Sequence, residues 1–159
     1  MKSRTVLFAL AFVAASVACA SDDIPTEFST DTWAFAEHSY HIDFRDGCII
    51  YSEVSDNGSP EPVKITPTVE EWHAFRASLE HIGVWRWHSY YEWPDMAFDG
   101  VKWSLRLKYK DSERVSSGGE DRFPEKDASP DQQGRPTVAF REYEDAVEKL
   151  LGRRFRISP

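Results

Sequence analysis

Between Val101 and Lys110 apolar and polar residues alternate without a break, and no other stretch constrains the fold as tightly. Val101, Trp103, Leu105, Leu107 and Tyr109 fall on one side of an extended chain. Lys102, Ser104, Arg106, Lys108 and Lys110 fall on the other. A period of two over that length describes a strand with one face in a core and one in water. The chain is predicted to turn near Asp111-Ser112-Glu113, and a three-residue turn that sets Tyr109 opposite Val115 keeps Val115 on the apolar face.

The same grammar occurs earlier. His38 to Val54 reads as a hairpin about the two-residue turn Asp46-Gly47. That register sets Arg45 against Cys48, Phe44 against Ile49 and Ile42 against Tyr51. Tyr40, Ile42, Phe44, Ile49 and Tyr51 then form the core face, and His41, Asp43, Arg45, Cys48, Ile50 and Ser52 the outer one. Ser55 to Pro62 is a loop by composition. Thr68 and Glu71 stand at capping-box spacing. Trp72, Phe75, Leu79 and Ile82 follow at helical spacing, with Gly83 as a stop, which predicts a helix over 69–82. A second helix, 137–151, carries Phe140, Tyr143, Val147, Leu150 and Leu151 on one stripe and stops at Gly152.

The predicted fold is therefore α+β: a four-stranded antiparallel sheet in ββα-ββα order, with two helices packed on one face. Parallel pairing or helices on opposite faces would contradict it. Residues 37–152 form this single domain. Residues 21–36, polar and acidic with Pro25, read as a flexible leader, and 153–159 as a basic C-terminal tail.

The first twenty residues read as an address. Lys2 and Arg4 precede an apolar run from Val6 to Val17, and Ala18-Cys19-Ala20 stands before Ser21. This pattern predicts a signal peptide, 1–20, cleaved after Ala20. The apolar run is shorter than a membrane span requires. The alternative is a lipoprotein, with a lipid anchor on Cys19, although Ser16 stands where a branched apolar residue is usual. Either way Cys48 is left alone and no intramolecular disulfide forms. The expected location is exported: periplasmic or extracellular, or tethered to a membrane as a lipoprotein.

Cleavage removes two of the 19 basic residues, Lys2 and Arg4, leaving 17 against 27 acidic ones. A chain this acidic excludes nucleic acid as a bulk electrostatic partner. Its core is aromatic, with six Trp, six Tyr and ten Phe in the chain.

Ile82-Gly83-Val84-Trp85-Arg86-Trp87, a tyrosine at 90 or 91, Asp99-Gly100-Val101-Lys102-Trp103, Ser117-Gly118-Gly119 and Phe123-Pro124 form a recognisable set. With these W-x-W, D-G-x-x-W and S-G-G…aromatic-Pro elements, the chain resembles a group of short uncharacterised bacterial proteins, a domain of unknown function. The likeness covers roughly residues 70–150. It implies one folded domain and no particular reaction.

Candidate chemistry is sparse. His41 and Asp43 share a strand face, with Cys48 diagonal to them, but a zinc site needs three or four converging ligands. Ser116, Ser117 and the following glycines make no nucleophile elbow. Gly118 and Gly119 read as releasing the chain from the strand edge into a long loop, 118–136, and Glu120 and Asp121 would repel a phosphate there. Glu142, Glu144, Asp145 and Glu148 read as a solvated helix face. No catalytic residue, metal ligand or cofactor is assigned.

The aromatic segment 84–103 holds Trp85, Trp87, Tyr90, Tyr91, Trp93 and Trp103. Trp85 and Trp103 are predicted to be buried. Trp93, before Pro94, with Tyr90 or Tyr91, is predicted to line an accessible aromatic surface that could stack on a sugar or anchor a protein. Lys102, Arg106 and Lys108 form a basic stripe that could dock an acidic partner; as a solvated face it would be balanced by Asp43 and similar neighbours. The binding candidates are thus Trp93, Tyr90, Tyr91, Lys102, Arg106 and Lys108. The functional expectation is a non-catalytic binding or accessory module of the bacterial cell envelope, with an envelope protein or glycan as partner. The alternative is a small envelope hydrolase using carboxylates or histidines that the sequence does not pair.

Overall fold

The computed structural model describes residues 22–34, 38–55, 57–91, 101–110, 114–120, 122–124 and 135–157. Six strands and two helices follow in the order β1 (Glu27–Trp33), β2 (Ser39–Arg45), β3 (Cys48–Val54), β4 (Val63–Ile65), α1 (Val69–Ile82), β5 (Lys102–Lys108), β6 (Arg114–Glu120) and α2 (Val138–Leu151). A single 3-10 turn, Val84–Arg86, follows α1. The strands make one sheet in the order β4-β3-β2-β1-β5-β6, and every neighbouring pair is antiparallel.

The α+β class and the antiparallel sheet agree with the alternating patterns. The strand number and the ββα-ββα order do not: the sheet has six strands, not four, with four of them before α1 and two before α2. The strand missed in the sequence, β1, occupies the middle of the sheet and pairs with β2 on one side and β5 on the other. It runs through what reads as a flexible leader. Its inward positions are Phe28, Thr30 and Thr32, all buried. Two threonines where aliphatics are usual hide the period of two, although β-branched threonine suits a strand. Thr30 Oγ1 donates to the Ser104 carbonyl at 2.7 Å and accepts from the Tyr143 hydroxyl at 2.6 Å, so the buried hydroxyl is satisfied. The sixth strand, β4, is three residues long and covers one edge of β3.

The first hairpin has the expected register, from Ser39 opposite Val54 to Arg45 opposite Cys48. Asp46 and Gly47 both take positive φ, 52° and 78°, as a turn of this hand requires. The second hairpin differs. Leu107, not Tyr109, stands opposite Val115, and Lys108 opposite Arg114. The connection is two residues longer than a three-residue turn. A shift of two preserves parity, so Val115 still points to the core.

Both helices cap as the sequence specifies. The Thr68 hydroxyl accepts from the Glu71 amide, and the Glu71 carboxylate accepts from the Thr68 amide at 2.7 Å. Gly83 closes α1 at φ 80°, where a Cβ would be strained. Thr137 caps α2. The helices pack on the same sheet face. Trp72 of α1 meets Phe28 edge-on at 6.0 Å, and Tyr143 of α2 reaches Thr30.

Two further expectations are corrected. Gly118 and Gly119 belong to β6 rather than to a loop. A Cβ on Gly119 would lie 2.6 Å from the Arg122 carbonyl, 2.7 Å from Trp103 Nε1 and 2.8 Å from the Tyr91 carbonyl. Absence of a side chain lets segment 91 run alongside β6, where Tyr91 N–H donates to the Gly118 carbonyl. The C-terminal stretch is not a free basic tail either: Phe155 and Ile157 are buried in the core. Phe155 packs against Tyr40 and Tyr143.

Candidate functional site

The uncovered face of the sheet is polar. Its middle row sets Ser52, His41, Asp31 and Ser104 side by side on β3, β2, β1 and β5. Asp31 is the hub: one carboxylate oxygen accepts from the His41 ring, the other from the Ser104 hydroxyl at 2.8 Å. These residue types suggest a hydrolytic triad, but their order is wrong. The serine bonds to the carboxylate and not to the imidazole, so the base cannot take its proton. The arrangement joins three strands and provides no activated nucleophile.

The basic stripe lies on this same face. Lys102, Arg106 and Lys108 are exposed. Lys102 pairs with Glu120 at 3.4 Å and Arg106 with Glu27 at 3.5 Å. The balancing carboxylates therefore come from β6 and β1 and not from Asp43, which is engaged by Arg45. Lys108 makes no ion pair with any described residue. Exposed pairs of this kind contribute little to stability, so the stripe is available to a ligand at small cost.

The aromatic segment packs on the helix-covered side of the sheet. Trp103 is buried, stacking edge-on with Phe140 at 5.0 Å and donating through Nε1 to the Arg122 carbonyl at 2.8 Å. Trp85, expected in the core, is only half-buried. It follows Gly83 on the 3-10 turn, which carries its ring to the rim, edge-on to Tyr109 at 6.0 Å. Its indole N–H is buried without a hydrogen-bond partner. Trp87 is likewise half-buried and lies against Phe140 and Tyr143. Tyr90 is 55 % exposed, as expected. Tyr91 is half-buried and accepts through its hydroxyl from the His88 amide at 2.9 Å. Trp93 lies outside the described residues.

Both features reach a cleft of about 590 Å³. Trp85, Trp87 and Ser89 border it together with Glu27, Arg106 and Lys108, with the buried Leu107 and Val115 behind them. Residues of the basic stripe and of the aromatic segment, separate in the sequence, both border this concavity near the Glu27 end of β1. Of the candidate binding residues, Arg106 and Lys108 are brought together here. Lys102 sits at the opposite end of β5, four residues before Arg106, and Tyr90 and Tyr91 are not among the lining residues. Trp85, Trp87, Ser89 and Glu27 were missed. Trp85 and Trp87 had the signal of adjacent large rings, whereas Glu27 had none, because β1 was not recognised.

The histidines do not converge. His38 bonds to Glu53 at 2.5 Å, His73 to Asp23 at 3.0 Å and His41 to Asp31. Among the described residues no three His, Cys, Asp or Glu side chains group as a metal site. Cys48 is half-buried, its thiol donating to the Arg45 carbonyl at 3.3 Å.

One titratable group departs from expectation. Glu144, placed by the sequence on a solvated helix face, is fully buried. Burial raises its carboxyl to about 7, against the opposing pull of the Ile157 amide and the Arg141 guanidinium. The Ile157 amide donates to it at 2.7 Å and Arg141 at 2.9 Å. Arg141 also donates to the Ile157 carbonyl at 2.9 Å. Glu148 accepts from the Phe155 amide at 3.0 Å. These carboxylates fasten the C-terminal segment to α2; they lie away from the cleft and serve the fold.

Among the described residues no helix is long and apolar enough to cross a membrane. No protein-family model, curated protein or solved structure matches the chain.

Proposed function

We propose that the chain is an exported, non-catalytic binding or accessory module of the bacterial cell envelope. The observation that carries this reading is the cleft of about 590 Å³ bordered by the half-buried Trp85 and Trp87 and by Arg106 and Lys108. Its volume falls in the range of pockets that hold small ligands or a projecting group of a larger partner. Half-buried indoles give contact area at little ordering cost, and the cations give orientation. Glu27 is the single carboxylate among the described residues lining the cleft, so a paired-carboxylate hydrolase draws no support there. The signal-peptide pattern at 1–20 supports export, with a mature start at Ser21 or a lipidated Cys19.

Co-sedimentation with washed cell envelopes tests the reading. The chain is expected to pellet with envelopes, the double variant Arg106→Glu/Lys108→Glu to stay in the supernatant, and Lys64→Glu, exposed on β4, to pellet as before. Failure to pellet, or equal pelleting of the double variant, overturns it. Intact mass of the protein recovered from cells tests export: a chain that retains Met1 refutes both maturation routes.

A further inference from the structure

The segment after α2 is held in the manner of a bound peptide. Among the described residues, the main chain of Arg154–Ile157 bonds to no other main chain. Side chains hold it instead. The Phe155 amide donates to Glu148 at 3.0 Å and the Ile157 amide to Glu144 at 2.7 Å. The Arg154 carbonyl accepts from the Tyr51 hydroxyl at 2.9 Å, and the Ile157 carbonyl from Arg141 at 2.9 Å. Phe155 and Ile157, two positions apart, are both buried. Main-chain bonds for affinity and pockets for alternate side chains are how proteins recognise an extended peptide. Charge agrees with this reading. Residues 153–157 are Arg-Arg-Phe-Arg-Ile, in a chain of net charge −8, and Arg156 meets Asp145 and Glu148 of α2. The joint to α2 is Gly152, at φ 60°, where a Cβ would meet nothing within 4 Å. Glycine at that joint gives the segment room to pivot without moving the helix. None of these contacts depends on the segment being joined to α2.

We infer that the slot between α2 and the β2–β3 side of the sheet is an autoinhibited peptide-recognition site. The chain's own segment fills it in cis. The partner it fits in trans is an extended basic segment of another protein, with phenylalanine and an aliphatic residue two positions on. The tether gives the cis segment a high effective concentration, so a trans peptide enters only where cis occupancy is weakened. An acidic peptide would face Asp145 and Glu148. The slot is separate from the cleft, and the inference stands or falls independently of the envelope reading.

Fluorescence anisotropy of a labelled synthetic peptide, Arg153–Pro159, tests this against the full chain. The full-length Phe155→Ala variant, whose cis segment lacks its main anchor, is expected to bind the peptide at least about tenfold more tightly than the parent chain. The same peptide carrying Phe155→Ala or Arg156→Glu should bind that variant at least about tenfold more weakly, the scale of one lost anchor or charge-assisted bond. If Phe155→Ala does not fold, a second full-length chain keeps the test. It carries a specific protease site between the exposed Gly152 and Arg153 and is cut after folding. The labelled peptide should then replace the cut segment, and the Phe155→Ala peptide should not. Absence of binding to both chains overturns the inference. Equal binding by parent and Phe155→Ala chains would place the peptide elsewhere and overturn it too. Equal binding of the altered peptides overturns it as well, because neither anchor nor charge would then be recognised. A dimer of the parent chain that forms on concentration and is lost in Phe155→Ala would make a second copy the occupant, and overturns the assignment to a separate partner.

Discussion

Thr30 and Glu144 show how a single side chain can carry a meaning that its residue type conceals. Glu144 looks like one more acid on an exposed helix, yet it is enclosed beneath the C-terminal segment. Its carboxyl, raised to about 7, titrates above the usual carboxylate range. The folded state therefore holds this proton more tightly than the unfolded one. The group's effect is neutral below the unfolded value, where both states are protonated. Stability is lost as pH rises from about 4.5 to about 7, while the unfolded chain ionises and the folded one resists. Over that window the loss is on the order of 3 kcal/mol. Urea unfolding at pH 4.5 and pH 7.5 should show this loss in the parent chain and its absence in Glu144→Gln. An equal pH response in both would contradict the assignment.

At the scale of elements, β1 is what turns two hairpins into one sheet. Without it the edges of β2 and β5 would both be open, a state that natural sheets avoid. The strand is locked to α2 through Thr30 and Tyr143. Thr30→Val keeps the shape and removes the hydroxyl, leaving the Tyr143 hydroxyl buried without its acceptor. The expected cost is about 1–3 kcal/mol. Thr30→Val combined with Tyr143→Phe should cost less than the sum of the two single changes, because the orphaned group is then absent. Chemical denaturation of the four chains measures the coupling; strict additivity would mean that the bond contributes nothing. Gly119 belongs to the same scale: β6 accepts segment 91 because no Cβ stands between them.

The whole molecule closes through its C-terminus. Phe155 and Ile157 enter the core between α2 and the β2–β3 side of the sheet, and Arg156 ties back to Asp145 and Glu148. Removal of residues 153–159 should therefore destabilise the domain by at least the 3–5 kcal/mol typical of one buried phenylalanine. Phe155→Ala alone should approach that range, and Lys64→Ala, exposed on β4, should stay within about 0.5 kcal/mol of the parent. Thermal unfolding of the three chains checks this. If truncation leaves the midpoint unchanged, the segment is not part of the core.

Local patterns carried much of the architecture into the sequence. The alternation at 101–110, the Asp46-Gly47 turn, the Thr68 capping box and the glycine stops at 83 and 152 are short-range features. Each is fixed by the geometry of a few bonded neighbours, and each recurs in the structure. What tertiary contact decided could not be read the same way. β1 is a strand because β2 and β5 flank it and Tyr143 satisfies its threonine, facts separated by up to 113 positions. The length of the β5–β6 connection was open because a shift of two residues buries the same side chains. Burial of Glu144 depends on a tail that returns from 13 residues further on. The candidate site follows the same division: its rings and its cations were each visible as residues, but that both border one cleft near Glu27 is a product of strand order, which the period of a sequence does not encode.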